Sequence, residues 1–154
     1  MTQASRMNFY HYAPQAFKAM LNLSNAVKEG AIGAQLAELV FLRVSQINGC
    51  GVCIDMHWRA LVKGGADPRH LNTLPAWRES PFFSDRERAA LNWVEAVNAI
   101  PHREPSDADF AQLQEHFTEN EIAELGYAVS VIRGWNMFNV SLRNPIPVTP
   151  PPGM

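Results

Sequence analysis

The sequence predicts one all-α domain, and three observations carry that prediction. Apolar residues recur at helical spacing through most of the chain, and no alternating apolar–polar stretch exceeds a few residues. Glycine, proline and capping residues break the pattern at intervals of about one helix length. The 154 residues, 47% of them hydrophobic, are enough to bury a core without metals or disulfide staples.

Pro14 suits the first turn of a helix, because its missing N–H would be unsatisfied there anyway. Phe17, Met20, Leu21 and Val27 then recur up to the break at Gly30 and Gly33. A second helix is expected from about Ala34 to Ile47, apolar on most sides and therefore buried. Asn48 and Gly49 interrupt it, and a third helix runs from near Cys50 to Gly64-Gly65, a common stop signal. Residues 66–83 read as a loop with a short helical turn. Ser84 and Glu87 form a capping box for the next helix, which Pro101 and Pro105 close off. Ser106 caps a shorter helix through Phe110, Leu113 and Phe117. A second capping box, Thr118 and Glu121, opens the last helix, with Ile122, Leu125, Val129, Ile132 and Trp135 inward and an end near Leu142. The expected architecture is five to seven helices over residues 1–154, with an extended proline-rich tail over about 144–154.

Charge and hydropathy narrow the function. The formal net charge of −2 and the lack of a basic stripe argue against nucleic acid as a partner. No apolar run approaches the ~20 residues of a membrane span. The stretch Met1 to Tyr10 lacks the apolar core of a signal peptide, so the expected compartment is the cytoplasm. Two cysteines three apart are not the framework of a secreted disulfide protein. In a reducing compartment such a pair points to redox exchange, catalysis or metal binding.

The chemistry is expected around Cys50, Cys53 and His57. Residues three apart on a helix have Cα atoms roughly 5–6 Å apart, within the reach of a disulfide. If the helix starts near Gly49, both thiols lie in its first turns, where the dipole and free N–H groups favour thiolate. His57 follows Cys53 by four residues, on the same face, where an imidazole can take a thiol proton. Glu38 and Ser45 are seven apart on one face of the preceding helix. A fold-back at Asn48-Gly49 brings Glu38 to the cysteine pair, and a carboxylate on so apolar a helix needs a partner. Spacing alone leaves Glu38 open between that role and a solvated helix residue.

Other readings of these residues stay open at this point. Cys50, Cys53 and His57 supply three of the four ligands zinc wants, and spacing singles out no fourth among Glu38, His11, His70, His102 and His116. A thioredoxin-like site needs βαβ flanks, and these flanks are helical. Trp58, Trp93, Trp135 and Phe138 read as core or interface residues, and Arg43, Arg59 and Arg133 as ion-pair formers.

The runs Glu38-Leu39-Val40, Arg43-Val44-Ser45-Gln46-Ile47-Asn48-Gly49-Cys50 and Cys53-Ile54-Asp55-Met56-His57 resemble the alkylhydroperoxidase D-like group of the carboxymuconolactone decarboxylase superfamily. The Trp77 segment, the run Phe83 to Leu91 and Trp135-Asn136 extend the resemblance over nearly the whole chain. It implies an all-helical fold on an antiparallel helix pair and assembly into homo-oligomers, trimers or hexamers. It also implies thiol peroxidase activity without haem, metal or other bound cofactor. By that resemblance Cys53 is the peroxidatic thiol, Cys50 the resolving thiol, and His57 and Glu38 the proton relay. The substrate is a hydroperoxide, and an external dithiol, lipoyl-bearing in the founding members, is the reductant. Helix-dipole logic alone points to Cys50 as the more acidic thiol, and the His57 offset points to Cys53. The founding members carry a histidine two residues after the first cysteine; here Val52 stands there, which implies a shorter relay. A thiol-disulfide oxidoreductase or redox sensor is the alternative function.

Overall fold

The computed structural model describes residues 4–149. It contains eight α-helices among those residues and no strand: α1 (Phe9–Tyr12), α2 (Pro14–Glu29), α3 (Gly33–Asn48), α4 (Gly51–Lys63), α5 (Pro68–Asn72), α6 (Asp85–Asn98), α7 (Asp107–Gln114) and α8 (Glu119–Ser141). A 3-10 turn, Leu74–Ala76, follows α5. The six longer helices match the sequence expectation. The single-turn helix α1, capped by the Asn8 side chain on the His11 N–H, was not anticipated. Pro150 to Met154, the end of the expected extended tail, lie outside the described residues. No helix among those described is long and apolar enough to cross a membrane.

Helix α3 is the centre of the bundle. Ala37 to Leu42, Val44 and Ser45 are all buried, and the helix packs against α2, α4, α6 and α8. Gly49 ends it in the left-handed region (φ 70°), a conformation that glycine adopts without the Cβ clash. The N–H groups of Gly49 and Cys50 both close on the Ser45 carbonyl, and the chain reverses into α4. This reversal makes the antiparallel α3–α4 pair.

The main core joins α3, α6 and α8 through Val40, Phe41, Val44, Ala90, Val94, Leu125, Val129 and Ile132. The expected inward face of α8 is observed, with Ile122 and Trp135 half-buried at its margin. A second cluster explains residues 66–83: Leu71, Leu74, Trp77 and Phe83 pack on Leu39, Leu42, Leu61 and Leu91. Helix α2 departs from expectation. Only Ser24 and Val27 are buried, because Phe17 and Leu21 face a cavity instead of the core. Trp58 and Phe138 remain 38% and 42% exposed, so neither is a core residue of this chain.

Polar ties fix the layers. Glu95 accepts from Arg43 Nε (2.7 Å), Trp77 Nε1 (2.8 Å) and Arg78 Nη1 (2.7 Å), which binds α3 and the 66–83 loop to α6. Burial pushes the Glu95 carboxyl up, but the three donors outweigh it and hold the group below its ordinary 4.5. Arg59 pairs with Asp55 at 2.7 Å, as an ion-pair former should. Arg133 does not: it donates to the Ile100 carbonyl at 2.8 Å and pairs with no carboxylate among the described residues.

Both expected capping boxes form, and Ser106 forms a third with Asp109. The Ser106 backbone N–H and hydroxyl, with Asn92, lower the Asp109 carboxyl from 3.8 to about 2. A depressed folded-state value stabilises the protein above 3.8, and that contribution is lost as the pH falls toward about 2. Denaturant melts of wild type and Asp109→Asn are expected to differ most above pH 3.8 and to converge toward pH 2. A gap that stays constant over that interval would contradict the assignment.

Candidate active site

The four residues singled out from sequence lie on the antiparallel α3–α4 pair, the cysteines at its reversal and Glu38 against His57 farther along it. Cys50 is the N-cap of α4 and Cys53 lies in its first turn, so both sulfurs sit at the positive end of the helix dipole. They are joined in a disulfide, with Cα atoms 5.3 Å apart and exposures of 1% and 0%. His57, one turn on, is buried and faces Glu38 across the helix pair, with Nδ1 to Oε2 at 2.6 Å. Glu38 is 9% exposed and is thus no solvated helix residue. Its second oxygen, Oε1, lies 3.6 Å from Lys28 Nζ of α2. Each carboxylate oxygen is therefore answered by a nitrogen.

The orientation of the imidazole follows. A carboxylate only accepts, so Nδ1–H donates to Glu38 and the lone pair of the neutral ring lies on Nε2. Nε2 is buried and has no hydrogen-bond partner among the described residues. The Phe41 ring packs at 5.1 Å between centroids and holds the imidazole in place. His57 thus holds an unpartnered ring nitrogen inside the site.

Cys53 and His57 line a cavity of about 330 Å³ between α1, α2, α3, α4 and α8. Phe9, Tyr10, Phe17, Leu21, Phe41, Met56, Ile132 and Trp135 make its walls mostly apolar, with Lys28 and Asn25 at the polar side. Trp135 is anchored by donation from Nε1 to Ser24 Oγ at 2.9 Å. Val52, in place of the histidine of the founding members, lines the cavity and offers no proton. Cys50 faces a separate groove of about 230 Å³ with Gly51, Arg143 and Ile146. Among the described residues no group of three or more His, Cys, Asp or Glu side chains is arranged to hold a metal ion.

The sequence reading missed an amide network below the cysteines. Asn136 Nδ2 donates to Ser45 Oγ (3.0 Å), Asn48 Nδ2 to Asn136 Oδ1 (3.0 Å), and Asn48 and Asn98 exchange two bonds (3.1 and 3.0 Å). It ties α3, α6 and α8 together where the chain turns toward Cys50. Asn139, one turn beyond Asn136, donates to Cys53 Sγ at 3.3 Å. Two asparagines three apart on an apolar helix were the available signal, but nothing in their spacing named the partners.

A family model for carboxymuconolactone decarboxylases matches residues 14–96, which hold every one of Glu38, Cys50, Cys53 and His57. The chain belongs to the carboxymuconolactone decarboxylase family. Within that family it is of the alkylhydroperoxidase D-like kind. A crystal structure of a protein of unknown function from Agrobacterium tumefaciens, with a suggested role as the antioxidant defence protein AhpD, superposes with a TM-score of 0.91. The two are 36% identical, over 95% of this chain and 100% of the other. The uncharacterized protein YdfG of Bacillus subtilis is 33% identical over 92% of this chain and 96% of its own length. The debrominase Bmp8 shares the fold, with a TM-score of 0.79 at 18% identity over 90% of this chain and 74% of that one.

Asn136→Leu keeps the forked shape of the side chain but leaves buried Ser45 and Asn48 groups unpaired. Loss of about 1–3 kcal/mol of stability is expected for such orphaned groups, measured by urea unfolding. A change within a few tenths of a kcal/mol would show that the network is dispensable.

Proposed function

We propose that this chain is a cysteine-dependent hydroperoxidase that reduces organic hydroperoxides, or hydrogen peroxide, through a Cys50–Cys53 dithiol–disulfide cycle in antioxidant defence. One observation carries the reading: Glu38 engages Nδ1 of His57 and leaves Nε2 without a partner, and His57 and Cys53 line the same cavity. The apolar walls favour an organic hydroperoxide over hydrogen peroxide.

In the reduced protein His57 Nε2 takes the Cys53 proton, and Glu38 stabilises the resulting imidazolium. The thiolate attacks one peroxide oxygen and the O–O bond breaks. The alkoxide leaves as an alcohol after taking the proton back from His57, and Cys53 becomes a sulfenic acid. The Cys50 sulfur then attacks Cys53; the S–S bond forms and the hydroxyl departs as water. An external dithiol, of lipoyl type on a partner protein, returns the pair to thiols by exchange. No bound cofactor or metal takes part. The exposed apolar residues Tyr127, Met137 and Val140 on α8 support a homo-oligomer; a trimer or hexamer is the proposed size and the cytoplasm the proposed compartment.

The runner-up, a thiol-disulfide oxidoreductase or redox sensor, is favoured by Val52, which removes one proton carrier from the cavity wall. The two separate in a coupled assay of peroxide consumption with dihydrolipoamide as donor. Turnover is expected for the wild type, none for Cys53→Ser, and a single oxidation without cycling for Cys50→Ser. Glu38→Gln and His57→Ala are expected to slow oxidation by ~10- to 10⁴-fold, the range of general acid–base help. Full turnover in both cysteine variants would overturn the proposal, and a disulfide formed without turnover would favour the sensor.

A further inference from the structure

The two sulfurs of the disulfide have different surroundings. Cys53 Sγ accepts from Asn139 Nδ2 at 3.3 Å. Cys50, although it is the N-cap of α4, has no side-chain hydrogen bond there. A donor within reach of only one sulfur of a disulfide makes the two unequal as leaving groups.

The amide that provides this donor is itself held in one orientation. Asn139 Oδ1 accepts from Asn144 Nδ2 at 2.7 Å, so its oxygen is engaged and its NH₂ faces the sulfur. Flipping the amide would set NH₂ against NH₂ and oxygen against sulfur. Asn144 reaches this place because α8 ends in a reversal. Arg143 adopts φ 57°, the Asn144 N–H closes on the Asn139 carbonyl at 2.9 Å, and the Arg143 N–H on Val140 at 3.3 Å. This is the six-to-one and five-to-two pattern of a Schellman end, with arginine where glycine is usual. The helix end is thereby built around Asn139.

We propose that Asn139 is a catalytic residue that stabilises negative charge on Cys53 Sγ, and that Asn144 is the positioning residue that aims it. Naming Cys53 as the reacting sulfur rests on the hydroperoxidase reading above; the asymmetry between the sulfurs does not. In the reductive step a thiolate of the external dithiol attacks Cys50 Sγ from the groove beside Gly51 and Ile146. The S–S electron pair passes to Cys53, which departs as a thiolate held by Asn139. The second thiol of the donor then attacks the donor sulfur of the mixed disulfide; that S–S electron pair passes to Cys50, which takes the thiol's proton, and the donor leaves as a disulfide. In the dithiol form the same N–H favours Cys53 thiolate before peroxide arrives.

The charged and titratable groups around Cys53 are His57 on α4, Glu38 on α3, Lys28 on α2 and Tyr10 on α1, with Arg143 on the groove side. None of these groups is itself changed when Asn139 or Asn144 is replaced. The test uses Cys50→Ser protein, in which Cys53 is the sole thiol, and follows thiolate absorbance against pH without any peroxide. Adding Asn139→Leu is expected to raise the titration midpoint and lower the thiolate fraction at neutral pH about tenfold or more, the size of a hydrogen bond to a charged group. Adding Asn144→Ala instead is expected to move it the same way by less, and both together no further than Asn139→Leu alone. An unchanged midpoint in a folded Asn139→Leu protein overturns the proposal, and so does an unchanged midpoint in Asn144→Ala should the leucine variant fail to fold. A raised midpoint in a protein that consumes no peroxide would uphold Asn139 and remove the hydroperoxidase reading.

Discussion

A carboxylate enclosed between two helices loses its hydration and must be answered by protein groups, and Glu38 is in that position. It sits on the most buried helix of the bundle, between His57 on α4 and Lys28 on α2. The 2.6 Å contact with His57 can form only if α4 returns antiparallel along α3 in one register. Gly49 provides the reversal, and the two cysteines follow it at once, at the positive end of α4. Pairing, reversal and sulfur placement are therefore one constraint. Loss of the partner would leave a buried charge uncompensated, which is far more costly than losing a surface ion pair.

The rest of the molecule holds this arrangement from two sides. Below the cysteines, Ser45, Asn48, Asn98 and Asn136 satisfy one another and fix the end of α3 against α6 and α8. Above them, Phe9, Phe17 and Trp135 form an aromatic wall: Phe17 and Trp135 meet edge to face at 5.5 Å, and Phe9 lies 6.4 Å from Trp135. The wall is completed by the N-terminal segment, where the Arg6 N–H donates to the Leu142 carbonyl at 2.9 Å. The cysteines thus lie between a satisfied polar network and an apolar wall.

Local signals were legible in the sequence and long-range ones were not. Pro14, Gly49, Ser84 and Thr118 act through the backbone within a few residues, so the helix boundaries they imply are observed. Cys50, Cys53 and His57 lie within eight positions on one helix, and their mutual placement follows from helical geometry. Glu38 needed the fold-back, which Asn48-Gly49 announced. Asn139 lies 86 positions from Cys53, and Lys28 belongs to another helix, so only topology brings them in. Arg133 shows the same limit: its charge promised a carboxylate, and its neighbour is a carbonyl. The 66–83 segment looked like a loop because its prolines break helices, yet its apolar side chains close a second core.

The central claim is that Cys53 reacts with peroxide and Cys50 closes the disulfide on it. Intact-mass measurement of the fully reduced protein after one equivalent of an organic hydroperoxide tests this directly, with the alcohol product assayed alongside. The expected result is a protein lighter by two hydrogens, one equivalent of alcohol, and a Cys50–Cys53 bridge in the digest. Unreacted thiols with intact hydroperoxide, or an oxygen added at methionine while both cysteines stay reduced, would contradict it.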